Sequence, residues 1–147
     1  MSVRTAIVRN PIDVAAMLAE IQDPANGATV LFLGHVREVN DGRVVTGIEY
    51  TAYGEMAERE LASIASDAIA ATGVSDITIV HRLGELPLGD ASIAIVVAHA
   101  HRAEAYAASR FVIEEVKKRL PVWKREQYAD GTREWVNAHG VATQGPQ

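Results

Sequence analysis

Two short apolar runs, separated by a loop that glycines bound, constrain the fold of this chain more than any other feature. The runs are DITIVHRLG (76–84) and SIAIVVAHAH (92–101), and the loop reads GELPLGD. Apolar runs of this length that are rich in β-branched residues and end at turn residues favour strands over helices. The sequence therefore predicts two strands joined by a loop.

A second pair of strands is predicted earlier in the chain. The run ATVLFLGHV (28–36) is typical of a buried strand, and VVTGIEYTAY (44–53) follows it after a few polar residues. The Asp41-Gly42 pair lies between the two runs, and this dipeptide favours the tight turn of a hairpin. We therefore expect the two runs to pair with each other.

Helical patterns alternate with these strands. Asp13 precedes VAAMLAEIQ and is a suitable cap for a short helix. Apolar residues recur at helical spacing from Glu55 to Thr72, and Gly73 follows as a helix-ending glycine. A longer helix is predicted from about residue 103 to residue 119. Helices and hairpins together predict an α+β fold with a mainly antiparallel or mixed sheet and flanking helices.

Length and composition limit what such a fold does. The 147 residues predict a single domain over residues 1–139, with residues 140–147 as a mobile tail. The net charge of −5 argues against a broad surface for nucleic acid, and no run approaches the roughly 18 apolar residues of a membrane span. The first residues lack the apolar segment of a secretory signal, so we expect a cytoplasmic protein. The chain has no cysteine, which excludes disulfides, zinc–thiolate sites and thiol nucleophiles.

The segment KKRLPVWKRE, residues 117–126, contains all three lysines of the chain. Lys118 and Arg119 each follow a glutamate by four residues, a spacing at which ion pairs form on the solvated face of a helix. Basic residues also stabilise the C-terminal end of a helix through its dipole. A solvated cluster therefore accounts for these two residues without a functional role.

Lys117 fits that explanation less well. Its neighbours at helical spacing are Ile113 and Leu120, so it lies at the edge of the apolar face with no acidic residue four positions before it. Partial burial lowers the pKa of a lysine and allows it to exchange protons near neutral pH. Pro121 ends the helix, so Lys124 can fold back beside Lys117. This pattern predicts a functional site, with the solvated cluster as the alternative.

Basic residues at strand ends suggest a ligand that carries a phosphate. Arg37 follows the run at 28–36, and His101 and Arg102 stand between the run at 92–101 and the long helix. The first turn of a helix attracts anions through its free N–H groups, and arginine binds phosphate with two parallel hydrogen bonds.

Histidines also raise the possibility of a metal. His99 and His101 lie two residues apart on one face of a strand, a spacing that could seat a metal ion. His35 and His81 are candidates for a third ligand by count alone, and neither has convincing spacing. The sequence therefore predicts no metal site.

Five segments, taken together, resemble the large, catalytic subunit of molybdopterin synthase. They are FLGHVRE, IEYTAYGEMAERELASIASDA, VHRLGELPLGD, AHAHRAEAY and VKKRLPVWKRE, and they follow the order of that family over nearly the whole chain. The last segment is the most specific, because the family also has a lysine seven residues before the lysine of PVWKRE. This sequence departs from the family at His35, where lysine is frequent, and at His99, where a small or hydroxyl residue is usual.

The resemblance implies a fold like the α/β hammerhead and a sulfurtransferase activity. The family converts cyclic pyranopterin monophosphate into molybdopterin by inserting two sulfurs as a dithiolene. The sulfur arrives as a thiocarboxylate on the C-terminal glycine of a small ubiquitin-like partner subunit, whose tail enters a pocket of the large subunit. Two large subunits form a central dimer with one small subunit at each end, and no cofactor is expected.

The resemblance also implies roles for individual residues. Lys117 and Lys124 are the expected catalytic pair, with Lys117 beside the incoming thiocarboxylate. Phe32 is expected to line the channel for the tail of the partner. The expected substrate-binding residues, of which His101 and Arg102 would come from the second subunit of the dimer, are His35, Val36, Arg37, His101, Arg102, Arg125 and Glu126.

Two other functions are compatible with these residues. One is a non-catalytic subunit that binds the tail of the sulfur carrier, and the other is a phosphate-ester hydrolase that uses the histidines and a metal. The presence of both lysines favours the sulfurtransferase.

Overall fold

The structure is a computed structural model that describes residues 2–146, which form two sheets and three helices. In chain order the elements are β1 (Ser2–Val8), α1 (Val14–Glu20), β2 (Ala28–His35), β3 (Val39–Asn40), β4 (Arg43–Ala52), α2 (Gly54–Thr72), β5 (Asp76–Arg82), β6 (Gly84–Pro87), β7 (Ala91–His99), α3 (Arg102–Arg119), β8 (Val122–Tyr128) and β9 (Arg133–Val136).

The first sheet has the strand order β1-β5-β7-β2. β1 runs parallel to β5, and the other two pairs are antiparallel. The central strands β5 and β7 are buried along almost their whole length, because α2 and α3 cover one face of the sheet and α1 packs on the other. The larger core, on the α2 and α3 side, includes Leu61, Ile64, Ile79, Ile95 and Val112.

The second sheet has the order β3-β4-β8-β9, with β6 also paired to β4. It carries its own small core of Val36, Val45, Ile48, Leu86 and Tyr128. The two sheets and three helices confirm the predicted α+β class with mixed and antiparallel pairing.

Local signals placed the helix ends correctly. The side chain of Asp13 accepts a hydrogen bond from the Ala16 N–H at 3.0 Å and caps α1. Gly73 ends α2 in the left-handed region at φ 74°. α3 stops at Arg119 because the residue before a proline leaves the helical region, and Leu120 is extended at φ −70° and ψ 121°.

The predicted pairing of residues 28–36 with residues 44–53 is wrong. β2 pairs with β7 in the first sheet, whereas β4 pairs with the two-residue strand β3. The turn itself is correct, since Asp41 and Gly42 have φ values of 49° and 74°, both in the left-handed region of a tight hairpin. A register shift between Gly34 and His35 ends β2, after which Val36 enters the core of the second sheet.

β2 is also less buried than its apolar sequence predicts. It lies at the edge of the first sheet with a neighbour on one side only, and Leu31 remains 38% exposed. An apolar run thus indicates a strand here without indicating that the strand is central.

Four further strands within residues 2–146, namely β1, β3, β8 and β9, were not predicted from the sequence. The predicted GELPLGD loop also contains a strand, β6, which pairs Leu86 with Ile48 of β4. In residues 140–146, the Thr143 N–H donates to the Trp135 carbonyl at 3.0 Å. The mobility of this tail stays a prediction. None of the helices within residues 2–146 is both long and apolar enough to cross a membrane.

Candidate active site

Lys117 lies in the last turn of α3, at the boundary between the helix and the second sheet. Its helical neighbours Val116 and Leu120 belong to the main core, and Ile113 packs against that core. The Nζ atom of Lys117 approaches the Ala138 carbonyl oxygen at 3.5 Å, a long distance for a hydrogen bond. The predicted position at the edge of the apolar face is therefore confirmed.

Lys124 reaches the same region from β8. Side chains alternate between the two faces of a strand, so Lys124 and Glu126 share one face and Arg125 lies on the other. Across the β4–β8 pair, Tyr50 stands opposite Lys124 and Ile48 stands opposite Glu126. The strand thus fixes which charged residues face Lys117.

Two cavities meet at these lysines. The first, here called the polar lobe, has a volume of about 320 Å³ and includes Arg37, Asn40 and Glu126 in its lining. The second, the apolar lobe, has a volume of about 260 Å³ and includes Val122 and Trp123. The residues that line both lobes are Tyr50, Ser92, Ile93, Ile113, Lys117, Lys124 and Ala138.

Both lysines have pKa values below the ordinary range for lysine. Partial burial is the main cause for Lys117, and the positive charge of Arg37 adds to it. For Lys124 the pKa is lowered first by burial and then by the charges of Lys117 and Arg37, while Glu126 opposes the shift. Partial burial, the feature that the sequence suggested for Lys117, thus lowers the pKa of both lysines.

Glu126 is the buried carboxyl group of the site. It is 2% exposed, and its Oε1 atom accepts a hydrogen bond from Asn40 Nδ2 at 2.8 Å. Burial raises the pKa of this carboxyl group, although Lys124, Asn40, Arg37 and Tyr128 act in the opposite direction.

His81, which the sequence offered only as a candidate metal ligand by count, borders the apolar lobe. It is 4% exposed, and its Nδ1–H donates to the Arg82 carbonyl at 2.9 Å. Burial lowers its pKa to about 4, so the ring is neutral at neutral pH. The ring stands edge-on to Tyr50, with 5.2 Å between the ring centroids. Nothing in the sequence, apart from the presence of a histidine, indicated that this residue would border the site.

Besides the two lysines, four of the expected site residues line a lobe. Phe32, His35, Arg37 and Glu126 all border the polar lobe. His35 also donates from Nδ1 to the Gly89 carbonyl at 3.0 Å, which holds its ring against the loop after β6. Asn40, Tyr50 and Ser92 border the lobe as well but were not singled out from the sequence.

Val36 and Arg125 do not lie where substrate-binding residues were expected. Val36 is 4% exposed and packs in the core of the second sheet, because its neighbours β4 and β6 cover it. Arg125 points away from both lobes and pairs with Glu49 at 2.7 Å, as the alternation along β8 requires. Its guanidinium also lies 5.3 Å from the ring centroid of Trp135.

His101 and Arg102 are also remote from the lobes of their own chain. Both are exposed and stand at the start of α3, whereas Lys117 is in its last turn. Arg102 and Lys117 are 15 positions apart, which corresponds to about 22 Å of helix. A single chain therefore does not bring these residues to the two lysines.

The histidine pair at the end of β7 does not form a metal site with other residues. His99 is hydrogen-bonded through Nδ1 to Ser75 Oγ at 2.9 Å, and its Nε2 lies 3.8 Å from Glu104. Within residues 2–146 no cluster of three histidine, aspartate or glutamate side chains has the geometry to hold a metal ion.

The partners expected for Lys118 and Arg119 are different in the structure. Lys118 lies 3.9 Å from Glu115, three residues before it, instead of pairing with Glu114. Arg119 bonds across to α2, at 2.6 Å from Glu60 and 2.8 Å from Asp67. Arg119 therefore ties the two long helices together, and only Lys117 of the three basic residues faces the lobes.

Comparison with known proteins shows the family. Residues 7–119 match the family model described as MoaE protein. The molybdopterin synthase catalytic subunit of Emericella nidulans is 43% identical over 118 residues, which cover 80% of this chain and 60% of that protein. The molybdopterin synthase catalytic subunit of Aspergillus oryzae is 40% identical over 134 residues, which cover 91% of this chain and 75% of that protein.

A solved structure agrees with the sequence relatives. The crystal structure of molybdopterin synthase from Staphylococcus aureus superposes with a TM-score of 0.84 at 36% identity, covering 89% of this chain and 95% of that chain. The family model, the sequence relatives and the fold all agree, and this chain belongs to the MoaE protein family.

Proposed function

We propose that this chain is the catalytic subunit of a molybdopterin synthase that converts cyclic pyranopterin monophosphate into molybdopterin. Two sulfurs are inserted as a dithiolene, each delivered as a thiocarboxylate on the C-terminal glycine of a small ubiquitin-like subunit. The observation that carries the proposal is the junction of the two lobes, where Lys117 and Lys124 line both cavities. A reaction between a small phosphate-bearing molecule and the tail of another protein needs such a junction, because each reactant must reach the same reacting atoms.

The charges at the junction suit anionic reactants. Lys117, Lys124 and Arg37 lie close enough to lower the pKa values of both lysines. A thiocarboxylate and a phosphate are both anions, and either would relieve this mutual repulsion. The cluster therefore supports the binding of both reactants.

The lowered pKa values also support proton transfer by the lysines. As a carbon–oxygen bond gives way to a carbon–sulfur bond, the departing oxygen must take up a proton. An ammonium group gives up a proton more readily when its pKa is lowered toward neutrality. Lys117 is proposed to serve beside the thiocarboxylate, with Lys124 as its partner in proton transfer or charge stabilisation.

The proposal includes the remaining expectations for the assembly. Phe32 lines the tail channel, His35, Arg37 and Glu126 contact the substrate, and His101 and Arg102 reach the site of the second subunit in a central dimer. The active unit is a single domain over residues 1–139 in the cytoplasm.

The test is dithiolene formation by the purified protein with thiocarboxylated small subunit and cyclic pyranopterin monophosphate. Lys117→Ala should lower the rate by about 10²-fold or more, because it removes a proton-transfer group. Lys118→Ala is the matched control, since that neighbouring lysine points to solvent and should keep most of the activity.

Equal losses in both variants would mean that the cluster acts only as bulk positive charge. A wild-type protein that binds the small subunit and forms no product would favour the non-catalytic binding subunit instead.

A further inference from the structure

Glu126 combines deep burial with an unused oxygen. Its Oε1 atom accepts from Asn40, but its Oε2 atom is buried without a hydrogen-bond partner among residues 2–146. Buried polar atoms in folded proteins are almost always bonded, so an exception calls for an explanation. This oxygen belongs to a side chain that lines the polar lobe.

Lys124 is the cation whose charge acts most strongly on this carboxyl group. It lies two residues before Glu126 on the same face of β8, and the two charges influence each other. Six other titratable groups face this carboxyl group. They are Arg37 from the loop after β2, Tyr50 from β4, Lys117 from α3, Tyr128 from β8, Glu134 from β9 and His139 from the segment after β9.

Asn40 determines which oxygen of Glu126 stays free. Its Nδ2 amide donates to Glu126 Oε1 at 2.8 Å and to the Gly140 carbonyl at 2.9 Å. Glu126 Oε1 and the Gly140 carbonyl oxygen can only accept hydrogen bonds here. The Asn40 side chain therefore presents its NH₂ group, which has one hydrogen to donate to each of them. The tight turn at Asp41 and Gly42 fixes where Asn40 stands.

We propose that Asn40 is a positioning residue that holds Glu126 with its second oxygen free, so that Glu126 exchanges a proton with Lys124 during sulfur transfer. After Lys124 has given its proton to the substrate, the O–H bond of the Glu126 carboxyl breaks and an N–H bond forms on the Lys124 amine. The pair then consists of a carboxylate and an ammonium group, and net charge is conserved. The use of this exchange in turnover rests on the proposed function, whereas the coupling between the two groups does not.

The shared environment brings the two groups closer in proton affinity. Burial raises the pKa of Glu126 and lowers that of Lys124, so the proton moves between them at a smaller free-energy difference than in water. Groups coupled in this way titrate as a pair, and each reports the protonation of the other.

The coupling can be measured without the reaction. The chain has three lysines, so protein labelled with ¹³C at the lysine ε-carbon gives three side-chain signals, which lysine-to-arginine variants assign. We expect the Lys124 signal to titrate in two steps, the lower of which reports Glu126. Glu126→Gln should remove the lower step, and Asn40→Ala should move it to higher pH, because the charged carboxylate loses a hydrogen bond.

Gln127→Ala is the matched control on the same strand. Gln127 contacts Glu85 and lines neither lobe, so its loss should leave the Lys124 titration unchanged. A Lys124 titration that is the same in wild type and Glu126→Gln would overturn the pair. If the lower titration step of Lys124 keeps its pH midpoint in Asn40→Ala while the melting temperature falls, Asn40 has only a structural role.

The second measurement is the pH profile of single-turnover dithiolene formation. Because the step uses the protonated form of Glu126, the rate should fall as pH rises through the pKa of this carboxyl group. Asn40→Ala should move this limb of the profile to higher pH and lower the rate about tenfold, a modest effect for a group that supports acid–base catalysis. An unchanged profile with less folded protein would contradict the positioning role. If wild type shows the coupling but forms no dithiolene, the proposed function fails while the proton pair stands.

Discussion

At the scale of single residues, three consecutive basic side chains serve three different purposes. Lys117 faces the lobes, Lys118 is exposed to solvent, and Arg119 bonds to α2. The sequence separated Lys117 from its neighbours, because helical spacing alone shows which residue borders the apolar face. It did not reveal the partners of Arg119, since Glu60 is 59 residues away and depends on how the two helices pack.

His81 gives a prediction about stability and pH. Burial lowers its pKa from 6.5 to about 4, so the unfolded chain binds this proton before the folded protein does. The neutral ring therefore contributes fully above about pH 6.5, and stability is lost as pH falls toward 4. The gap in pKa corresponds to roughly 3 kcal/mol. His81→Asn, which removes the titrating ring, should flatten this part of the acid dependence in urea unfolding measured at a series of pH values.

His101→Asn is the control for that measurement, because His101 is exposed. It should show the same acid dependence as wild type. If His81→Asn also keeps the full acid dependence, the buried neutral ring is not the group that responds to acid in this range.

At the scale of helices and strands, periodicity predicted some elements well and missed others. The helices were identified because long apolar stripes and their end signals agree. β8 was missed because its residues VWKREQY are mostly polar, and only their alternation indicates a strand. β3 has two residues, too few for any pattern, yet it carries Asn40 into the site.

The β3–β4 turn gives a prediction at this scale. Gly42 has φ 74°, and a Cβ added there would meet no heavy atom within 4 Å, so the cost of Gly42→Ala is backbone strain alone. We expect a loss of about 1 kcal/mol in the free energy of unfolding, measured in urea.

Gly54→Ala is the matched change in an ordinary backbone conformation. Gly54 begins α2, and a Cβ there also meets nothing within 4 Å. This variant should be neutral or more stable by about 0.5 kcal/mol. Equal destabilisation by both substitutions would show that φ at residue 42 is not what determines the cost.

At the scale of the whole molecule, α3 separates two groups of basic residues. Lys117 lies at one end, and His101 and Arg102 lie at the other, about 22 Å along the helix. The α+β class was predicted from the sequence, but the division into two sheets was not, because the apolar run of a strand does not indicate which other strand it pairs with. The same limit applies to the site, where Asn40, Tyr50 and Ser92 join the lysines only through tertiary packing.

The proposed dimer makes a complementation experiment possible. If Arg102 acts in the site of the second subunit, a dimer of one Lys117→Ala chain and one Arg102→Ala chain has one intact site and one site with both changes. Random mixing of the two inactive variants by unfolding and refolding should then restore about a quarter of the wild-type rate of dithiolene formation, since half of the dimers are mixed.

A mixture of Lys117→Ala with Lys124→Ala is the control, because both lysines line the lobes of the same chain. That mixture has no intact site and should stay inactive. If neither mixture recovers activity, Arg102 acts only within its own chain.

The distribution of lysines has a practical consequence for chemical labelling. Acylating reagents attack neutral amines, and the two lysines of lowered pKa, Lys117 and Lys124, hold more of the neutral form at mild pH than an ordinary lysine does. Fluorophore esters, amine cross-linkers and coupling to activated resins are therefore expected to modify the lobes as readily as the surface. The same reagents, used sparingly, become titrants of the site, and a bound sulfur-carrier tail should protect both amines from them.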